Sequence, residues 1–251
     1  MVRWGRLLGW WIADYGYAAY WQARGVVAGR SLGRYGTGEL RPVIVLPGIW
    51  ETWGFMLPIV DELHRAGHPV FAITDLRRNA GTVVASAGLV ARFIVERDLH
   101  DVLIVAHSKG GLIGKYAMAL LDDERRISSM VAVSSPFAGS RYATHLPLPS
   151  LRALSPRDAT TRMLAGSLEV NARTTSVYAQ FDPHIPEGSE LAGARNVELA
   201  TGGHFRTLAA PQTVALVLAA AAAAPGSGAG ASEDAGAGEG EGEGASEGAD
   251  A

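Results

Sequence analysis

The sequence of 251 residues contains no cysteine. This absence excludes disulfide bonds and metal sites built on thiolates. A phosphate-binding glycine loop is also missing, because the glycine-rich stretch 29–38 follows no predicted strand and precedes no clear helix. The formal net charge is −3, and no nucleic-acid-binding motif is present. We therefore expect no nucleic-acid partner.

Large apolar residues are absent from segment 225–251. It consists of Gly, Ala, Ser and acidic residues after an initial proline, with seven acids and no base. Such a segment cannot bury a hydrophobic core, so it is predicted to be a disordered acidic tail. The rest of the chain is mildly basic. Its length suits one folded domain, which we place at 42–224.

The N-terminal segment 1–41 is rich in aromatic and basic residues and is predicted to be helical. Four of the six tryptophans lie in its first thirty residues, among several arginines. This composition fits peripheral membrane contact through residues 1–30, or equally a helix packed on the protein's own surface. Asp14 interrupts the apolar run and disfavours a spanning helix. No signal-peptide cleavage site follows, so a cytoplasmic or peripheral membrane location is favoured over secretion.

Six short apolar runs, separated by helix-like segments, dominate region 42–224. They are centred near Val43, Val70, Leu103, Val131, Val177 and Val197. The alternation predicts an α/β fold with about six mostly parallel strands and helices on both faces. Segment 136–173 is proline-containing and too short for a separate cap domain. It is predicted to form a small lid or loop region.

The segment from Val102 through Ser108 to Leu120 predicts a strand, a sharp turn and a helix. Such a turn lifts a serine hydroxyl clear of its neighbours, which a nucleophile requires. The positions two before and two after the serine must be small, and they are Ala106 and Gly110. Ser108 is therefore the candidate nucleophile. The alternative is a serine that only caps the helix.

A serine nucleophile needs a histidine base and an orienting acid, in the chain order serine, acid, histidine. Asp182 follows a predicted strand, and His204 follows two glycines after the next one. These two are the catalytic candidates. His184 is the rival base. The alternative acids are Glu187, Glu190 and Asp158.

Two backbone N–H groups should stabilise a developing oxyanion. One belongs to Lys109, at the start of the helix, and the other to Ile49, in the turn after the first strand. The side chain of Lys109 has two interpretations. It either adds positive potential near the site or is a solvated surface lysine.

These motifs resemble the α/β-hydrolase family, and within it the small bacterial lipases and esterases. The resemblance covers about 42–224 and is carried by Leu46-Pro47-Gly48-Ile49, by Ala106 to Gly111, and by Gly203-His204. Pro47 stands where the family usually has histidine, and Lys109 where it usually has methionine or glutamine. The resemblance implies a minimal α/β-hydrolase fold.

The activity that the resemblance implies is hydrolysis of carboxylic esters, with a small-molecule ester or lipid as substrate and no cofactor or metal. Trp50, beside the oxyanion turn, and Phe137, in a loop that lines the active-site mouth of such lipases, are the substrate-binding candidates. An acyltransferase or an amide or thioester hydrolase would use the same triad. A noncatalytic lipid-binding protein of this fold is a further alternative.

Overall fold

The computed structural model describes residues 4–28, 32–145, 148–167 and 169–223. Its strands are β1 (Val43–Leu46), β2 (Val70–Ala72), β3 (Val102–His107), β4 (Ile127–Val133), β5 (Thr174–Phe181) and β6 (Arg195–Gly202). Its α-helices are α1 (Trp4–Ala28), α2 (Leu57–Arg65), α3 (Val83–Glu96), α4 (Lys109–Leu120), α5 (Pro149–Arg152), α6 (Ala159–Gly166) and α7 (Pro211–Ala222). Single 3₁₀ turns connect them at Leu32–Gly36, Trp53–Met56, Thr74–Leu76, Arg141–His145, Glu169–Arg173 and Arg206–Ala209.

The six strands form one sheet in the order β2-β1-β3-β4-β5-β6. Every pairing between neighbours is parallel. The predicted six-stranded sheet is thus confirmed, with all strands parallel. The chain moves from β1 to β2 on one side and returns to β3 on the other. This reversal leaves a crevice beyond the carboxyl ends of β1 and β3, where ligands bind in open parallel sheets.

Helices cover both faces of the sheet, as predicted. Every residue of β1 and β3 is buried, because each strand is packed on both sides. One hydrophobic core joins Val102, Ile104 and Ala106 of β3 to α3 and α4. A second core, on the opposite face, joins Leu103 and Val105 to α2 and α7.

The N-terminal helix α1 packs against the turn Trp53–Met56 and against β6. The ring of Tyr17 meets Phe55 edge to face, with centroids 5.9 Å apart. None of the described helices is long and apolar enough to cross a membrane. The predicted acidic tail 225–251 lies outside the described residues.

Gly110 lies where α4 starts beside β1. A Cβ atom at this position would overlap the backbone carbonyl of Leu46, which cannot move without disturbing the sheet. Gly88, in the exposed middle of α3, has nothing within 4 Å of the same atom. A small residue is therefore required two positions after Ser108 because α4 and β1 are in close contact there.

We expect Gly110→Ala to lower the free energy of unfolding by about 1–3 kcal/mol, because the new methyl group overpacks the core. Gly88→Ala should instead raise it by up to about 1 kcal/mol, because alanine favours the helix. Urea denaturation of the two variants measures the contrast. Equal stability of both variants would contradict the close contact.

Candidate active site

Ser108 lies in the turn between β3 and α4. Its backbone has φ 51° and ψ −120°, a conformation that residues other than glycine seldom adopt. Its N–H donates to the carbonyl of Val133 at 2.8 Å, which ties the turn to β4. The hydroxyl makes no capping hydrogen bond to α4, all of whose residues the structure describes. A helix cap therefore does not account for this serine.

His204 and Asp182 lie side by side, each after the end of its strand. The imidazole Nδ1 donates to Oδ2 of Asp182 at 2.7 Å. The other carboxylate oxygen accepts the backbone N–H groups of His184 at 2.7 Å and of Ile185 at 3.1 Å. The carboxylate is thus held on both oxygens, which orients the histidine ring.

The same contacts shift the pKa values of both groups. Burial raises the pKa of Asp182, but the charge and hydrogen bond of His204 and the backbone bond from His184 outweigh it, so this pKa lies below its usual value. Burial lowers the pKa of His204, but the carboxylate of Asp182 outweighs that effect and the pKa lies above its usual value. The histidine is therefore a stronger base than a free imidazole.

Ser108 and His204 open into one cavity of about 300 Å³. Much of its lining is apolar and includes Ile49, Trp50, Leu151, Leu154, Ile185 and Phe205. Two of these belong to segment 136–173, which therefore forms one wall of the cavity. Phe137 does not line it. That ring is 4 % exposed and packs in the core beneath α3 and α4.

The two candidate oxyanion donors follow β1 and β3, at the crevice where the sheet order reverses. Lys109 is the first residue of α4, where N–H groups have no partner within the helix. Within the described chain, neither its N–H nor that of Ile49 donates to a protein acceptor. Ile49 also lines the cavity of Ser108. The N–H of Ile49 is thus unpaired at the cavity wall, whereas that of Lys109 belongs to a fully buried residue directly after Ser108.

Glu51 and His107 support this turn, and the role of Glu51 could not be read from the sequence. The buried Oε2 of Glu51 accepts the N–H of Gly48 at 2.6 Å and Nδ1 of His107 at 2.9 Å. Nε2 of His107 lies 3.2 Å from the carbonyl of His204. One chain of contacts therefore connects the oxyanion turn to the loop of the candidate base. The available sequence signal for Glu51 was an acidic residue between two tryptophans, Trp50 and Trp53.

Asp14 of α1 was also missed. It is fully buried, and its carboxylate accepts three consecutive backbone N–H groups, those of His204, Phe205 and Arg206, each at 2.8 Å. These donors begin a turn that carries the candidate base. Asp14 interrupts an apolar run in the sequence, which was the available signal. The N-terminal helix thus holds the histidine loop in place.

The side chain of Lys109 is buried, so the interpretation as a solvated surface lysine is wrong. Its Nζ donates to the carbonyls of Asn79, at 2.8 Å, and of Gly81. Burial lowers the pKa of this ammonium group to about 8. Asn79 in turn donates from Nδ2 to the carbonyl of Pro47 at 2.7 Å. The lysine therefore braces the loop behind the oxyanion turn.

The alternative base and the alternative acids make other contacts or are exposed. The ring of His184 is 4.8 Å from that of His204 but bonds to Tyr15, not to Asp182. Burial, followed by the charge of His204, lowers the pKa of His184 to about 4. Two of the alternative acids are occupied and the third is exposed: Glu187 binds Arg141, Asp158 caps α6, and Glu190 faces solvent.

No group of three or more His, Cys, Asp or Glu side chains in the described ranges is arranged to hold a metal ion. The cluster around His204 instead consists of acids that each accept backbone N–H groups or an imidazole. Asp14, Glu51 and Asp182 are all committed in this way. The arrangement orients a base beside a serine.

This geometry, on an all-parallel sheet with this strand order, defines the class of the protein: the chain has the α/β-hydrolase fold. Solved structures of that class superpose on it. Aspergillus fumigatus lipase B matches with a TM-score of 0.59 and 21 % identity, over 74 % of this chain and 53 % of its own. The mature Bacillus licheniformis lipase BlEst2 matches with a TM-score of 0.57 and 13 % identity, over 73 % and 91 %.

An α/β hydrolase from a sediment metagenome, MGS-MChE2, matches with a TM-score of 0.55 and 16 % identity, over 73 % of this chain and 90 % of its own. The chain spans about half the length of the Aspergillus lipase. No protein-family model matches the sequence, and no curated protein is significantly similar to it. At these identities the likeness establishes the fold.

We expect Asp14→Ala to lower the free energy of unfolding by roughly 3 kcal/mol or more, because three buried N–H groups lose their acceptor. Amide hydrogen exchange at His204, Phe205 and Arg206 should accelerate. Asp75→Ala, at an exposed acid, is the control and should change stability by less than about 0.5 kcal/mol. Exchange at these three amides that matches the control would contradict the role of Asp14.

Proposed function

We propose that the protein is a serine hydrolase that cleaves carboxylic esters through Ser108, His204 and Asp182. The observation that carries the proposal is the buried pair His204 and Asp182, joined at 2.7 Å, whose histidine lines the same cavity as a serine on a strained turn. A nucleophile, a base and an orienting acid are the three parts that acyl transfer requires.

In this mechanism the Ser108 hydroxyl attacks the ester carbonyl while His204 takes its proton. The backbone N–H groups of Ile49 and Lys109 stabilise the negative charge on the tetrahedral oxygen. His204 then gives the proton to the leaving alcohol, and an acyl-enzyme remains. Water, deprotonated by the same histidine, releases the acid and restores the serine.

The cavity favours an apolar acyl group of limited size. Its volume of about 300 Å³ lies at the small end of the ordinary range for ligand sites, roughly 300–1,000 Å³. Trp50 and Leu154 line its apolar wall. Structures with the same fold include proteins described as lipases. We therefore expect short- or medium-chain esters to be hydrolysed faster than long-chain ones.

The test is hydrolysis of p-nitrophenyl esters of increasing acyl length, with labelling by a fluorophosphonate. Ser108→Ala should lower kcat by about 10⁴-fold or more and abolish labelling, because the nucleophile is lost. Ser140→Ala is the matched control: that serine lines the same cavity but is not on a strained turn. It should keep both the labelling and the activity.

An unlabelled wild-type protein without turnover on any ester would refute the proposal. Labelling that persists in Ser108→Ala would assign the nucleophile to another residue. Transfer of the acyl group to an added alcohol in preference to water would identify an acyltransferase that uses the same three residues.

The pH profile distinguishes the two histidines. A base must be neutral to accept a proton, and the pKa of His204 is raised above its ordinary 6.5 by Asp182. The acid limb of kcat/KM should therefore have its midpoint above pH 6.5, with activity lost as the pH falls through it. A midpoint near 4, where the pKa of His184 lies, would assign the base to His184.

A further inference from the structure

The outward face of α1 is apolar along most of its length. Across residues 5–25, the only charged side chains are Arg6, Asp14 and Arg24, and Asp14 is buried. The large exposed side chains of the helix are Leu8, Trp11, Ile12, Tyr15 and Tyr20, with exposures between 41 % and 67 %. A helix that packs one face on its own protein normally presents a polar face to water. This one presents a second apolar face.

The glycines on that face are not required for close packing against another part of the protein. Gly5, Gly9 and Gly16 would each accommodate a Cβ atom with nothing within 4 Å. They therefore do not bring the helix close to the rest of the protein. By contrast, a Cβ at Gly25, on the buried face, would crowd Thr52. The outward face is thus smooth, apolar and open.

Two arginines lie along one edge of this face, about 120° around the helix from Ile12, near its two ends. Arg6 and Arg24 are both exposed, and 18 residues are five full helical turns, so they lie on the same side of the helix about 27 Å apart. The guanidinium of Arg6 stacks over the ring of Trp10 at 4.8 Å, and that of Arg24 lies 6.0 Å from the ring of Trp21. Long cationic side chains beside aromatic rings suit the headgroup region of a bilayer.

The face also continues into the rim of the candidate active site. Trp11 and Tyr142 line one surface depression, and Tyr142 also lines the cavity of Ser108. Trp50, on the wall of that cavity, is 40 % exposed, and Tyr142 is 55 % exposed. Contact of α1 with an apolar surface would therefore bring the cavity mouth to the same surface.

We propose that the outward face of α1 binds the surface of an anionic phospholipid bilayer. Leu8, Ile12 and Trp11 enter the interface, and Arg6 and Arg24 meet lipid phosphates. The helix lies in the plane of the membrane, since its other face remains packed on the protein. The absence of an exposed carboxylate among residues 5–25 fits a negatively charged partner.

The test is sedimentation of the full chain with vesicles of phosphatidylcholine alone and of phosphatidylcholine mixed equally with phosphatidylglycerol. The wild type should bind the mixed vesicles, and added salt should weaken the binding. Leu8→Glu/Ile12→Glu should weaken it by about tenfold or more, because two carboxylates then face apolar and anionic groups. Arg6→Glu/Arg24→Glu should remove most of the preference for mixed vesicles.

Val95→Glu is the matched control, because Val95 on α3 is as exposed as Leu8, at 62 %. It should bind like the wild type. Hydrolysis of a soluble short-chain ester should be the same in Leu8→Glu/Ile12→Glu as in the wild type, which shows an intact fold. If no protein hydrolyses the ester, the proposed function fails, and circular dichroism then supplies the fold check for the vesicle result.

Wild-type protein that binds neither vesicle would overturn the proposal, as would a Leu8→Glu/Ile12→Glu variant that binds as well as the wild type. Analytical ultracentrifugation tests whether a second copy of this chain, and not lipid, covers the outward face of α1. A wild-type dimer that Leu8→Glu/Ile12→Glu converts to monomer would assign the face to a second copy of this chain and overturn the assignment to lipid.

Discussion

The close approach of α4 to β1 is the constraint on which the candidate site depends. Gly110 lies against the carbonyl of Leu46, and this contact allows the chain to turn at Ser108 with a positive φ. A sheet order that reverses between β1 and β3 brings Ile49 to the same crevice. Nucleophile and oxyanion donors therefore meet because two neighbouring strands end side by side. Any group larger than hydrogen at position 110 would push them apart.

Three buried carboxylates organise the remaining part of the site. Asp182 orients the ring of His204, Asp14 holds its backbone, and Glu51 connects the oxyanion turn to His107. Each charge is satisfied by N–H groups, which makes its burial tolerable. All three also raise the pKa of His204, against the opposing effect of burial. The same contacts that fix the position of the base thus also set its strength.

The helix α1 has two apolar faces with different uses. The inner face carries Asp14 and Tyr17 into the protein, and Tyr15 at its border shares a hydrogen bond with His184. The large side chains of the outer face remain 41–67 % exposed. One helix therefore bears both the exposed apolar side chains and the carboxylate that holds the loop of His204. The N-terminal segment is in this sense part of the site.

Local patterns in the sequence were enough to predict the sheet, its six strands and the turn at Ser108. Continuous apolar runs predict strands that are buried on both faces of the sheet. The small residues at positions 106 and 110 indicate a tight turn around the serine. Asp182 and His204 were also identified as candidates, because each follows a strand at the carboxyl edge of the sheet. The roles of these three residues in catalysis stay predictions.

Tertiary structure alone decided which side chains support the site. Asp14 and His204 are 190 residues apart in the chain, and no local signal relates an acid in one helix to three N–H groups in a distant turn. Burial of Lys109 likewise depends on a loop near Asn79 that folds over it, and Phe137, in the loop after β4, packs in the core that the sheet forms with α3 and α4. Short-range steric requirements and periodicity depend on residues that are close in the sequence, so the sequence alone reveals them. Hydrogen bonds between distant segments exist only once the helices have docked.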